Sequence, residues 1–256
     1  MMVRAAVFSF LSLSCASVAG FAFAGDAGLR QPVVVELYTS QGCSDCPPAD
    51  DILVDLARRT DVVALSFPIT YWDMLGWKDT LASDANTFRQ KAYAERLGRA
   101  ATYTPQVILD GIEDVVGNKR HSILSAVTRH YAMRREAEPI SLDLVVEDRN
   151  LTVDISGTAP EGVSGGNEAE IFVMSVLSHA EVAIGGGENK DRTLVYANVV
   201  RDIRQVGSWS GGENSFQVPL SLGASNHDAV AVVVQDRGHG RVYAAQLLKL
   251  EFQAGN

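Results

Sequence analysis

The stretch VVVELYTSQGCSDCPPAD, residues 33–50, runs from an apolar segment through a short polar loop into a Cys-x-x-Cys pair and a double proline. The valines and the aromatic of 33–38 predict a buried strand, because β-branched and aromatic side chains pack well on a covered, pleated surface. Pro47 and Pro48 suit a first helical turn, and Asp50 and Asp51 then lie beside the positive end of the helix dipole. An amphipathic helix carrying Ile52, Leu53, Leu56 and Ala57 is therefore expected directly after the cysteines. A thiol pair at this spacing can switch between dithiol and disulfide, hold a metal, or brace the loop.

Residues 1–24 read as a cleaved secretory signal: Arg4, a mostly apolar stretch over 5–23, and the small-x-small run Ala22-Phe23-Ala24 before Gly25. The apolar core is diluted by Ser9, Ser12, Ser14, Ser17 and Gly20, and no later segment approaches the roughly 20 apolar residues of a membrane span. Cys15 would leave with the leader, so Cys43 and Cys46 are the cysteines expected in the mature chain. The expected location is periplasmic or secreted. The formal net charge is −9, and loss of Arg4 deepens it. Such acidity makes nucleic acid and anionic membrane surfaces poor partners, since both need basic neutralisation.

Working outward, 62–67 reads as a second strand. The span 84–97 reads as a helix capped by Ser83 or Asp84 and ended by Gly98. A hairpin follows over 106–109 and 113–116 around the Asp110-Gly111 turn, then a helix over 122–135. The order is β-α-β-α-β-β-α. Beyond Pro139 the texture changes to strands, expected at 141–146, 151–156, 170–177, 194–206, 216–220, 229–235 and 242–250, with glycine-bearing loops between them. Seven strands so spaced predict a β-sandwich. The expected organisation is a signal peptide at 1–24, an α/β domain at 25–138 and a sandwich-like domain at 139–256.

The element order, with Cys43-Ser44-Asp45-Cys46 between the first strand and first helix, resembles the thioredoxin superfamily. Thr104-Pro105, just before the 106–109 strand, stands where that superfamily carries a cis-proline that pairs with substrate backbone. The phrases ELYTSQGCSDCPPAD, PITYWDMLGWKD, YTPQVILDG and GENKDRTLVYANVVRDI resemble a family of secreted bacterial proteins of unknown function that joins a thioredoxin-like domain to a β-rich tail. The resemblance implies an α/β thioredoxin-like domain followed by an all-β domain. It implies Cys43 as the exposed attacking thiol, Cys46 as the buried resolving one, and Thr104 and Pro105 as substrate-positioning residues. It assigns no reaction, and a fold does not fix a function.

The chemistry of the pair narrows the choice. A disulfide between Cys43 and Cys46 closes a tiny loop and stabilises little by chain entropy. A structural zinc needs four ligands, and His121, His130, His179, His227 and His239 are dispersed. Copper held by two thiolates is the remaining metal reading. Redox exchange is the leading one. A helix N-terminus stabilises a thiolate, but Asp45 opposes it and no His, Lys or Arg lies inside the motif, so a weakly oxidising couple is expected. The Pro47-Pro48 pair is expected to push Cys46 away from helical angles.

Tyr71, Trp72 and Trp77 form the densest aromatic patch; they read either as core over the end of the sheet or as a substrate wall beside the cysteines. Asp73, Lys78 and Asp79 read as a solvated rim, and Arg89 and Gln90 as local pairs. The run 187–192, GENKDR, with Arg201 and Arg204 reads as a charged loop, with an anion site as the alternative. The functional expectation is a secreted thiol-disulfide oxidoreductase acting through Cys43 and Cys46 on protein or peptide thiols and disulfides, with a redox partner and no organic cofactor. The alternatives are a non-catalytic binding or assembly protein and a copper metallochaperone.

Overall fold

Every residue of strand β1 (Val33–Thr39) is buried, and that burial organises the chain. Fully covering a valine or leucine is worth about 1.5–3 kcal/mol, and Val33, Val34, Val35 and Leu37 divide between two cores. The computed structural model describes residues 31–137, 140–161, 163, 168–220 and 226–250. The leader expected at 1–24, with Cys15, lies outside them.

The elements after β1 are α1 (Pro47–Leu56), β2 (Val62–Pro68), α2 (Asp84–Arg96), β3 (Gln106–Leu109), β4 (Glu113–Val116) and α3 (Arg120–Glu136). Strands β5 (Ile140–Glu147), β6 (Asn150–Gly157), β7 (Ala169–Ala183), β8 (Thr193–Trp209), β9 (Asn214–Pro219), β10 (Ala229–Gln235) and β11 (Val242–Lys249) follow. Helix α2 starts as its sequence predicts, with Ser83 accepting a hydrogen bond from the Asn86 N–H at 3.2 Å. The β3–β4 turn uses Asp110 at φ 46° and Gly111 at φ 71°.

The strands do not divide into an α/β domain and a separate sandwich, and this corrects the architecture expected from the sequence. Eight of them form one mixed sheet in the order β11-β10-β7-β8-β2-β1-β3-β4. The junction is the parallel pairing of β2 with β8 at Ser66 and Val199, reinforced by Asn198, whose side-chain amide donates to the Ala64 carbonyl at 2.9 Å. Strands β5, β6 and β9 form a three-stranded sheet. It packs on the β7 and β10 side through Leu142, Leu151, Val153, Ile171 and Val232, so it covers part of the large sheet instead of closing a domain of its own. The largest shared core mixes Val34, Tyr38, Leu65 and Phe67 from the first half with Met174, Val200 and Val233 from the second. Helices α1 and α3 cover the opposite face through Ile52, Leu53, Leu56, Ile123 and Val127.

A buried polar network centred on Arg89 stitches the halves together. Arg89 donates to both Glu36 carboxylate oxygens at 2.7 Å and to Gln235 Oε1 at 2.9 Å. Gln90 donates to the Tyr103 carbonyl and to Gln106. The expectation of local pairing for these two residues is therefore corrected: each reaches beyond its own helix. Among the described residues no helix is long and apolar enough to cross a membrane.

Strands β7 and β8 have 15 and 17 residues. At about 3.3 Å per residue, a strand of 15 spans about 50 Å. This hairpin begins beside the three-stranded sheet and ends, at its tip, against the loop that carries the cysteines.

Candidate functional site

Strand β1 delivers the loop 40–46 to one end of the sheet, and α1 carries it away. Within the loop the Gly42 N–H donates to Ser40 Oγ, the Cys43 N–H to the Ser40 carbonyl, and the Cys46 N–H to the Cys43 carbonyl. Cys46 is the N-cap of α1, with φ −79° and ψ −38°. The proline that follows disfavours that region, yet Cys46 adopts it, because its carbonyl already receives the Ala49 and Asp50 N–H groups. The expectation that the double proline pushes Cys46 from helical angles is thus corrected, and Pro47 occupies the first helical position.

Cys43 and Cys46 form a disulfide with their Cα atoms 5.4 Å apart. Cys43 is 1% exposed and Cys46 is 0% exposed. The expectation that Cys43 is the exposed thiol is corrected: Ser44 and Asp45, between the two sulfurs, face solvent while both cysteines are covered.

The tip of the β7–β8 hairpin lies against the cysteine loop. Asn189 is wholly buried, and its side-chain amide donates to the Cys43 carbonyl at 2.8 Å and the Gln41 carbonyl at 3.0 Å. Arg192 in turn donates to Asn189 Oδ1, fixing which face of the amide points at the cysteine loop. Glu188 accepts from the Ser44 N–H at 3.1 Å, and hydrogen bonding from Ser44 holds its carboxyl below the usual range. Sequence reasoning passed over Asn189 and Glu188; their only signal was the GENKDR run, taken as a charged loop. The cations of that run and its neighbours do not converge, since Arg201 donates to the Leu81 carbonyl and Arg204 pairs with Asp202.

The aromatic residues line the side. Trp77 donates from Nε1 to Gln41 Oε1 at 2.8 Å. Trp72 donates to Thr104 Oγ1 at 2.8 Å, and its Cβ would lie 3.2 Å from a side chain placed at Gly42. The structure therefore brings the cysteine loop, Trp72 and Thr104 together, with Pro105 buried beyond a cis bond from Thr104. Tyr71 packs against the shared core, its hydroxyl raised in pKa chiefly by burial. Met74 and Leu75, on the short 3-10 turn Asp73–Leu75, are exposed. Asp79 was expected on a solvated rim but is buried, accepting from the backbone N–H groups of Gln41, Leu81 and Ala82. Burial raises its carboxyl, and those three donors offset part of the rise.

One helical turn beyond Cys46, Asp50 is buried with neither carboxylate oxygen hydrogen-bonded. Burial pushes its pKa well above the usual range; nearby Thr39 offsets part of the rise, and the charges of Asp79 and then Asp51 add to it. The Tyr196 hydroxyl, raised by burial and by Asp50, is unpartnered as well. No group of three or more His, Cys, Asp or Glu residues among those described is placed to hold a metal ion. Among the histidines, His130 bridges Asp110 and Glu113, and His239 is pushed down to about 4, first by burial and then by Arg89.

Solved structures share this arrangement of strands. The crystal structure of protein AGR_C_4864 from Agrobacterium tumefaciens is similar at 29% identity with a TM-score of 0.73, over 90% of this chain and 100% of that one. HBP35 of Porphyromonas gingivalis shares the fold at 12% identity and a TM-score of 0.60, over 90% of this chain and 79% of that one. No curated protein matches. The model of the family described as protein of unknown function (DUF1223) matches residues 34–235. By that match, which takes in the cysteine loop, the aromatic patch and the hairpin tip alike, the chain belongs to the DUF1223 family.

Proposed function

We propose that this protein is an extracytoplasmic thiol-disulfide oxidoreductase whose reacting couple is Cys43 and Cys46. The observation that carries the reading is the disulfide itself: two sulfurs bonded at the N-terminus of α1, where the positive end of the helix dipole favours a thiolate. The leader pattern supports a compartment in which such a bond persists. The likeness to thioredoxin-like proteins seen in the sequence supports the direction of attack.

In the reduced pair the Cys43 thiolate attacks one sulfur of a substrate disulfide. A mixed disulfide forms as the substrate's other sulfur departs as a thiolate and takes a proton. Cys46, deprotonated, then attacks Cys43 Sγ; the Cys43–Cys46 bond forms and the second substrate sulfur leaves. Two electrons pass to the substrate, and an external dithiol returns the pair to the reduced state. Trp72, tied to Thr104, would present an apolar edge to a bound peptide.

One observation favours a second reading: both sulfurs are covered, as suits a binding or assembly protein with an inert bond. A Cys46→Ser variant incubated with a disulfide-bearing peptide separates the two. Exchange predicts a mixed disulfide at Cys43 in the intact mass, released by dithiothreitol. No adduct above the Cys43→Ser/Cys46→Ser control, with the variant still folded, would favour the second reading.

A further inference from the structure

We propose that the β7–β8 hairpin tip, residues 184–192, is a built-in strap that closes over the Cys43–Cys46 disulfide and must lift before either sulfur can exchange. The inference rests on the redox reading above, and it explains why an exchange couple should be buried.

Three features make the tip a strap. It is a closed unit: the Ile184 N–H donates to the Arg192 carbonyl and the Asp191 N–H to the Ile184 carbonyl, so the residues between them form a loop on a paired base. That base is held independently of the cysteines, by Ile184, Leu194 and Tyr196 packed with Leu81 and Trp77. The loop is joined to the cysteine segment mainly by polar contacts: Asn189 to the carbonyls of Gln41 and Cys43, and Glu188 to the Ser44 N–H. Releasing those contacts frees the loop while the hydrophobic base stays packed.

The glycines show how closely it is seated. A side chain at Gly185 would lie 2.8 Å from the Trp77 ring, and one at Gly186 would lie 3.1 Å from the Gly76 carbonyl. Three consecutive residues without side chains let the backbone lie flat on Trp77 and give the loop the torsional freedom to leave it. Trp77 also donates to Gln41, so one ring touches both the strap and the segment it covers. Asn189 supplies N–H donors to carbonyls flanking the reactive bond, the kind of hydrogen bonding an approaching peptide would otherwise offer. A peptide substrate therefore competes with the strap for the same acceptors.

The test is the rate at which dithiothreitol reduces the disulfide in folded protein. A dithiothreitol thiolate attacks one sulfur of the pair; the Cys43–Cys46 bond breaks and its electrons leave on the other sulfur. The reagent's second thiolate then closes its own ring disulfide and releases the first sulfur as a thiolate. Asn189→Ala removes both hydrogen bonds that hold the strap to the loop carbonyls, so reduction should accelerate roughly ten- to thirty-fold. Glu188→Ala, at an exposed side chain, should accelerate it roughly three-fold and keeps the test alive if Asn189→Ala fails to fold. Equal rates in the wild type and every folded variant overturn the strap. Insulin reduction measured in parallel separates the two claims. Faster dithiothreitol reduction without insulin turnover upholds the strap and removes the exchange reading, whereas turnover with unchanged rates does the reverse.

Discussion

Arg89→Met asks whether the buried Arg89–Glu36 ion pair, at the centre of the network that reaches Gln235, stabilises the fold by charge or by packing. Arg89 makes two hydrogen bonds to Glu36 at 2.7 Å and one each to the Tyr93 hydroxyl and Gln235 at 2.9 Å. Its guanidinium also lies 5.1 to 5.7 Å from the ring centres of Tyr93, Phe172 and Phe67. Methionine keeps the aliphatic stem but leaves Glu36 buried without its cation, a loss that costs about 3–5 kcal/mol. Against a total stability of about 5–15 kcal/mol for a typical protein, that is a large fraction. Burial by itself raises the Glu36 carboxyl, but the Arg89 charge and hydrogen bonds from Arg89, Tyr93 and Tyr38 outweigh it and hold it below the usual range. In the wild type this stability is present above the unfolded pKa of about 4.3 and is lost as pH falls through the folded value. In Arg89→Met only burial and the tyrosine donors remain, the folded value rises above about 4.3, and stability declines as pH climbs. Urea denaturation should therefore show the deficit widest at neutral pH and narrowing in acid, with Glu36→Gln/Arg89→Met recovering most of it. A deficit under about 1 kcal/mol at neutral pH, or strict additivity of the two changes, would refute the reasoning.

The remaining predictions concern the site and the seam. Asp50→Asn should raise the melting temperature at neutral pH by a few degrees, about what 1 kcal/mol is worth in a chain of this size. Burial raises the Asp50 carboxyl in the folded state, so native stability declines as pH climbs above the unfolded value of about 3.9, and the advantage of the amide should vanish below that pH; parallel curves of melting temperature against pH would contradict this. Trp72→Ala, which loses the Thr104 bond, should slow exchange with a peptide disulfide about ten-fold while changing exchange with a small thiol less than about two-fold; equal loss on both would show the ring to be core alone. Gly111→Ala combines a φ of 71° with a Cβ that would clash with the Gly240 carbonyl, and should destabilise by about 2 kcal/mol or more in a denaturant titration.

Much of the local structure was legible in the sequence because it depends on near neighbours. The buried run of β1, the proline-opened α1, the Ser83 cap and the AVAVVVQ strand at 229–235 each declare themselves by periodicity or capping chemistry. What strand pairs with what strand does not. An apolar strand says that it is covered, not which edge it joins, and one parallel contact at Ser66 and Val199 turns two expected layers into a single sheet. Arg89 read as a local pair on its helix because its true partner lies 53 residues away. The cysteine pair and the aromatic patch were found from the chain, but the hairpin tip beside them was not: Gly185, Gly186 and Gly187 read as a glycine-bearing loop between strands until the Trp77 ring is seen beneath them.

Whether the Cys43–Cys46 bond opens and closes reversibly in the folded protein decides the redox reading. Equilibrating the mature protein in buffers of graded reduced and oxidised glutathione, extended with dithiothreitol, and counting alkylated thiols by intact mass measures this directly. A working exchange couple gives one two-electron transition approached equally from both sides, at a potential more reducing than the roughly −120 mV of a strong periplasmic oxidant. The acidic groups beside Cys43, Asp45 within the motif and Glu188 held on Ser44, disfavour its thiolate and drive that shift. A pair that stays bonded at every ratio, or opens only when the protein unfolds, would contradict it.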